Sequence, residues 1–128
     1  MRRIVVSVQN SLLAEALTGL LGQSGEFEPY RTAVDKKSRT VSACVACNAE
    51  IVLMEVTHAA YATVETRLNE GEQIRQLVPG CKIVLLCDEH VSQDIAKEVV
   101  TAKKNGQIDA FYYSSITGKY LLASLYAL

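Results

Sequence analysis

The side chains able to do chemistry are few and thinly spread along this sequence. Cys44 and Cys47 form a C-x-x-C, a spacing that can lower a thiol pKa for disulfide exchange. Cys81 and Cys87 flank an apolar run, and His58 and His90 each follow one, where they could hold a small anion or a metal. None of these sets is complete. The C-x-x-C has no second copy and no suitably spaced histidine, which a structural zinc site would need. It also falls within a helical pattern, where buried cysteines act as small hydrophobes. Cys87 is the more interesting thiol, because it ends a strand. No G-x-G-x-x-G follows a strand, the loop Gln9-Asn10-Ser11 lacks glycine, and no Ser-His-Asp arrangement is suggested. The expectation is a protein that is not an enzyme and holds no metal.

The elements that position these residues follow from the apolar pattern. Nearly continuous β-branched or aliphatic runs at 3–8, 50–56 and 81–87 read as strands buried on both faces, with a weaker strand at 27–34 and a fifth at 108–113. Between them, Leu12, Leu13, Ala16, Leu17, Leu20 and Leu21 repeat at helical spacing behind Asn10 or Ser11 as N-cap. A short helix covers 38–48. Tyr61, Val64, Leu68, Ile74 and Leu77 predict a longer one, broken near Gly71 and closed by Pro79-Gly80. Val91, Ile95, Val99 and Ala102 form the next stripe, with Lys103 and Lys104 at the negative end of its dipole. The last helix covers 116–128, with Leu121, Leu122 and Leu125 on its apolar side.

Strictly alternating strands and helices predict an α/β fold, a three-layer α/β/α doubly wound sandwich around a five-stranded parallel sheet with right-handed crossovers. In such sheets, ligands sit outside the carboxyl ends of the strands. Here those ends are Val8-Gln9-Asn10, Val34-Asp35, Glu55-Val56-Thr57, Cys87-Asp88 and Tyr113-Ser114-Ser115.

Composition narrows the function. The 128 residues suit one domain spanning 1–128, at 49% hydrophobic and 21% charged. A net charge of −1 with scattered Lys and Arg offers no basic face to DNA or an anionic membrane. No apolar run approaches the roughly 20 residues that span a bilayer. Four cysteines without a disulfide-dense pattern suit a reducing, cytoplasmic setting.

In order and spacing, the stretches IVVSVQNSLLAEALTGLL, AEIVLMEV, GCKIVLLC and IDAFYYSSITGKYLLASL resemble the receiver domain of two-component response regulators. The resemblance covers essentially the whole chain and implies a flavodoxin-like sheet of order 2-1-3-4-5. A working receiver phosphorylates an Asp ending its third strand. Two acidic residues after the first strand help hold Mg²⁺, a Thr or Ser ends the fourth, and a Lys ends the fifth. Mapped by strand position, the acidic pair falls on Val8 and Gln9, the phosphoacceptor on Glu55, the hydroxyl on Cys87 and the Lys on Ser114. Phe111 matches the switch aromatic. The Pro that follows the phosphoacceptor is missing, with Ala59 and Ala60 in that region.

The resemblance therefore implies a degenerate pseudo-receiver with weak or no Mg²⁺ binding and no other cofactor. It would act by protein–protein contact in signal transduction and transcription regulation rather than in a conventional phosphorelay. The fourth helix, fifth strand and fifth helix, where Tyr112, Tyr113, Tyr120 and Tyr126 cluster, are the expected face for a homodimer or another protein partner. The chain would be the N-terminal part of a longer response regulator, with DNA contacted only through an effector domain outside it. Glu55 could mimic a phosphoryl group with about half its charge. Two alternatives remain: a stand-alone small-ligand or redox sensor on the same fold, and phosphorylation at a non-standard residue such as Asp88.

Overall fold

Short runs of Ile, Val and Leu too rigid and too apolar for the surface form the centre of the molecule. The computed structural model describes residues 1–88 and 92–128; His90 and Val91 lie outside the described residues. Among the described residues the elements are β1 (Arg2–Ser7), α1 (Ser11–Gln23), β2 (Phe27–Thr32), α2 (Arg39–Cys47), β3 (Ile51–Val56), α3 (Val64–Leu77), β4 (Lys82–Cys87), α4 (Gln93–Lys104), β5 (Ala110–Tyr113) and α5 (Gly118–Tyr126). The strands form one parallel sheet of order β2-β1-β3-β4-β5, the flavodoxin-like α/β fold expected.

Period-two alternation divides the core in two. Val5, Val52, Met54, Ile83, Leu85 and Cys87 face one side, where α2, α3 and α4 cover them through Val41, Cys44, Val64, Ile74, Val99 and Ala102. Ile4, Val6, Ile51, Leu53, Val84 and Leu86 face the other, against Ala14, Leu17 and Leu21 of α1 and Leu121 and Leu125 of α5. β1, β3 and β4 are central and buried on both faces, which is why they read as unbroken apolar runs. β2 is an edge strand, where Pro29 costs no interior ladder bond.

Side-chain caps set the starts of α1, α3, α4 and α5, whereas Ser38 before α2 makes none. Asn10 Oδ1 accepts from the Leu13 N–H at 3.0 Å, while the hydroxyls of Thr63, Ser92 and Thr117 each accept from an N–H three residues on at 3.3 Å. Two sequence expectations are corrected by these caps. Tyr61 is not in α3; it takes the left-handed conformation (φ 69°) in the turn before Thr63. The final helix starts at Gly118, not at 116.

Nor is α3 broken at Gly71. The helix runs through it because the missing side chain is a packing requirement: a Cβ there would stand 3.3 Å from Ile83 Cγ2 in β4. Leu77, expected on the apolar stripe, is 60% exposed. Gly71→Leu should overfill this contact and cost about 1–3 kcal/mol. A lower urea midpoint at unchanged slope would register the loss, whereas an unchanged midpoint would contradict the packing.

Candidate functional site

The carboxyl ends of β1 and β3 meet at the middle of the sheet, and their backbone pairing stops at Ser7 opposite Met54. Beyond that pair, side chains take over. The Gln9 N–H donates to Glu55 Oε1 at 3.0 Å, so the carboxylate ending β3 is tied to the loop leaving β1. Arg67, reaching from α3, spans the two strands just below: its Nη2 donates to Ser7 O at 2.9 Å and its Nε to Glu55 O at 2.8 Å.

Arg67 is fully buried, and so are its neighbours Glu70, Ser7 and Thr40. Its Nη1 donates to Glu70 Oε1 at 3.2 Å and to Ser7 Oγ at 2.9 Å. Ser7 Oγ and Thr40 Oγ1 are 2.6 Å apart. With Ser7 Oγ accepting from Arg67, its own proton is free for Thr40. The result is a chain of buried polar groups, Thr40–Ser7–Arg67–Glu70, linking β1, α2 and α3, with β3 attached through Glu55 O. Burial pulls the Arg67 pKa down against the opposing pull of Glu70, and burial pushes the Glu70 carboxyl up while Arg67 opposes the rise.

None of these four residues stood out in the sequence. The buried face of α3 is Val64, Arg67, Glu70, Gly71 and Ile74, a regular helical stripe in which two members are charged and one has no side chain. An apolar count sees only its ends. The available signals were an Arg-x-x-Glu pair beside a mid-helix glycine, and Ser7 within an otherwise apolar strand.

The mapped positions lie at or just beyond the carboxyl ends of β1, β3, β4 and β5, but most are not joined into one constellation. The Val8 side chain is buried against the α1 and α5 side of the core, and Gln9 is exposed. Glu55 is half-buried and makes the bond to Gln9 described above. Cys87 is buried, and burial pushes its thiol up to about 11, so it stays protonated at neutral pH. Ser114 is exposed, and its N–H donates to Cys87 O at 2.7 Å. Phe111 is half-buried against the core on the α4 side and meets Tyr113 edge-on, with ring centroids 6.2 Å apart. His58 and Asp88 are both exposed. A cleft of about 440 Å³ lies beside the site, between the ends of β1 and β2, lined by Val8, Gln9, Arg31, Thr32, Ala33 and Val34.

These groups do not suit Mg²⁺. The ion requires a near-octahedral set of oxygens, commonly with one or two carboxylates. Among the five mapped positions Glu55 is the only carboxylate, and one of its oxygens already accepts from Gln9. Its neighbours are a buried isopropyl group, an amide side chain and a protonated thiol. Among the described residues no three His, Cys, Asp or Glu side chains gather as a metal site would require.

No family model matches the sequence, and no curated protein matches it. Solved structures do match in fold. A DNA-binding response regulator of the LuxR family from Staphylococcus aureus superposes with a TM-score of 0.76 at 14% identity, covering 99% of this chain and 98% of that one. A CheY-like response regulator receiver domain protein from Methanospirillum hungatei gives 0.71 at 15% identity, covering 99% and 92%. An adenylate cyclase from Rhodopirellula baltica gives 0.74 at 14% identity, covering 98% and 85%. The fold is thus that of CheY-like receiver domains.

Arg67→Met should cost about 3–5 kcal/mol, because it leaves Glu70 charged and buried without its partner. The Arg67→Met/Glu70→Leu pair should recover much of that loss, as a double-mutant cycle would show. The single variant should also be pH-dependent. Its Glu70 would have a folded pKa raised further above the unfolded value, so its deficit should be smallest below the ordinary carboxylate pKa and grow as pH rises. A deficit independent of pH and of Glu70 would contradict the buried Arg67–Glu70 pairing.

Proposed function

We propose that this chain is a receiver-like signalling module that works through protein–protein contact and does not undergo conventional aspartyl phosphorylation. The observation that carries this reading is the hydrogen bond from the Gln9 N–H to Glu55. A carboxylate at the phosphoacceptor position is engaged by the residue that stands where a working receiver keeps its second metal-binding acid. An acyl phosphate there would need its dense charge neutralised by a cation and a fixed ammonium. The mapped positions offer Val8, Gln9, Cys87 and the exposed Ser114 instead. On this reading the domain is regulatory, catalyses nothing and needs no cofactor, and it operates in the cytoplasm.

Partner contact is assigned to the face made by α4, β5 and α5. Tyr113 and Tyr120 expose 40% and 71% of their surface there, and tyrosine is enriched at binding hot spots. Tyr126, expected on the same face, instead lies beside Ser24, Glu26 and Phe27 at the α1 and β2 side of α5. The partner is a second copy of the chain or another signalling protein, and transcription regulation would follow through an effector domain outside this chain that contacts DNA. Among the described residues no helix is long and apolar enough to cross a membrane.

Incubation with acetyl phosphate and Mg²⁺ should leave the intact mass unchanged, while Glu55→Gln should alter self-association or partner binding measured by light scattering or calorimetry. A phosphoryl group gained at Glu55 or Asp88 would overturn the first half of the reading. Association unaffected both by Glu55→Gln and by Tyr120→Lys would overturn the second.

A further inference from the structure

The four cysteines are not grouped as their spacing in the sequence suggests. Cys44 and Cys47 share the last turns of α2, yet the Cys44 side chain is buried in the core while Cys47 is only half-buried beside it. Cys81 directly precedes β4 and is buried in the same cluster as Cys44. Cys87 lies at the far end of β4.

Backbone geometry brings Cys44 to Cys81. The Ala49 N–H donates to Cys44 O at 3.0 Å, which turns the chain sharply from α2 towards β3. The Lys82 N–H then donates to Glu50 O at 2.9 Å, and Ile51 pairs with Lys82 in the sheet. Ala49-Glu50 and Cys81 therefore lie side by side at the amino-terminal edge of the sheet, with Cys44 stacked on them from α2. The two thiols interact across this edge, and that interaction together with burial raises the pKa of Cys44. Both side chains are buried in the same core cluster, so the backbone register brings the two thiols into one packed region at this edge.

We propose that Cys44 and Cys81 are a latent disulfide site, a reversible oxidation point that fastens the end of α2 to the start of β4. Cys47 is not the partner of Cys44, despite the C-x-x-C. The inference stands apart from the signalling reading above and from the strand-end site. With hydrogen peroxide as oxidant, the Cys81 sulfur attacks one peroxide oxygen and the O–O bond breaks. Hydroxide leaves and takes up one thiol proton as water. The Cys44 sulfur then attacks the resulting sulfenic acid, the S–O bond breaks, the S–S bond forms, and the second hydroxide leaves as water with the other thiol proton. Two thiols lose two electrons and two protons, and one peroxide becomes two waters.

Burial makes the reaction slow, gated by local opening rather than by thiolate availability. Closure of the long loop between the two cysteines removes freedom chiefly from the unfolded chain, so the oxidised form should be the more heat-resistant one.

The test uses the full chain, folded, with dilute hydrogen peroxide and non-reducing peptide mapping. Trypsin leaves Cys44 and Cys47 on one peptide, so the Cys47→Ala variant, which alters a half-buried position only, carries the assignment. Expected are a loss of two hydrogens in Cys47→Ala, a cross-link between the Cys44 and Cys81 peptides, a melting temperature raised by several degrees, and full reversal by dithiothreitol. Cys81→Ala should form no such link. Two results would overturn the proposal: a Cys44–Cys47 bond in the parent chain, or intact thiols in folded Cys47→Ala under conditions that oxidise the urea-unfolded chain.

Discussion

A fully buried guanidinium is tolerated only where enough acceptors converge on it, and in this molecule the convergence decides the shape of the strand-end region. Arg67 draws its four hydrogen bonds from β1, β3 and its own helix, and through Ser7 it reaches Thr40 of α2. The backbone ladder between β1 and β3 ends at Ser7 and Met54. Arg67 continues it, bridging the carbonyls of Ser7 and Glu55 where no strand pairing remains. Remove the cation and the strand ends keep two carbonyls and one carboxylate in apolar surroundings.

This arrangement gives the candidate site its character. In a site built to bind Mg²⁺ and a phosphoryl group, the ends of the first and third strands have to present negative charge to an external cation. Here a cation is supplied from within, on the α3 side of the sheet, and the Glu55 carboxylate above it is held by a backbone N–H. Positive charge close beneath the strand ends and an internally bonded carboxylate leave little for an external ion to do. The same polar chain ties α2 and α3 to the central strands, so polar contacts join Val64 and Ile74 in holding that face together.

How far the sequence reveals this depends on which physical signal each residue carries. β3 and β4 were legible because both faces are covered and every residue but a few is aliphatic. β2 was placed two residues too long because an edge strand carries a mixed pattern that blends into its loop. α3 starts at Val64 rather than Tyr61 because Tyr61 fits the apolar spacing, while the left-handed turn at Tyr61 and the Thr63 cap are features that an apolar count does not carry. Gly71 was read as a breaker because glycine lowers helix propensity, whereas its role is to let α3 approach Ile83. Val8, Gln9, Glu55, Cys87 and Ser114 could be located by strand position alone. Arg67 and Glu70 could not, because charged residues on a buried face run against the pattern from which the face is inferred. The Cys44–Cys81 contact was hidden for another reason: spacing along the chain pairs Cys44 with Cys47, and only the register of β3 with β4 brings Cys81 to it.

The central claim is that an internal network holds the strand ends of this receiver fold where phosphate chemistry would otherwise act. Amide NMR of the full chain titrated with Mg²⁺ and then beryllofluoride, an acyl-phosphate mimic, tests it most directly. The account predicts no saturable shift at the amides of Gln9, Glu55 or Ser114. Saturable shifts at those amides that spread to Phe111 and α4 would contradict it.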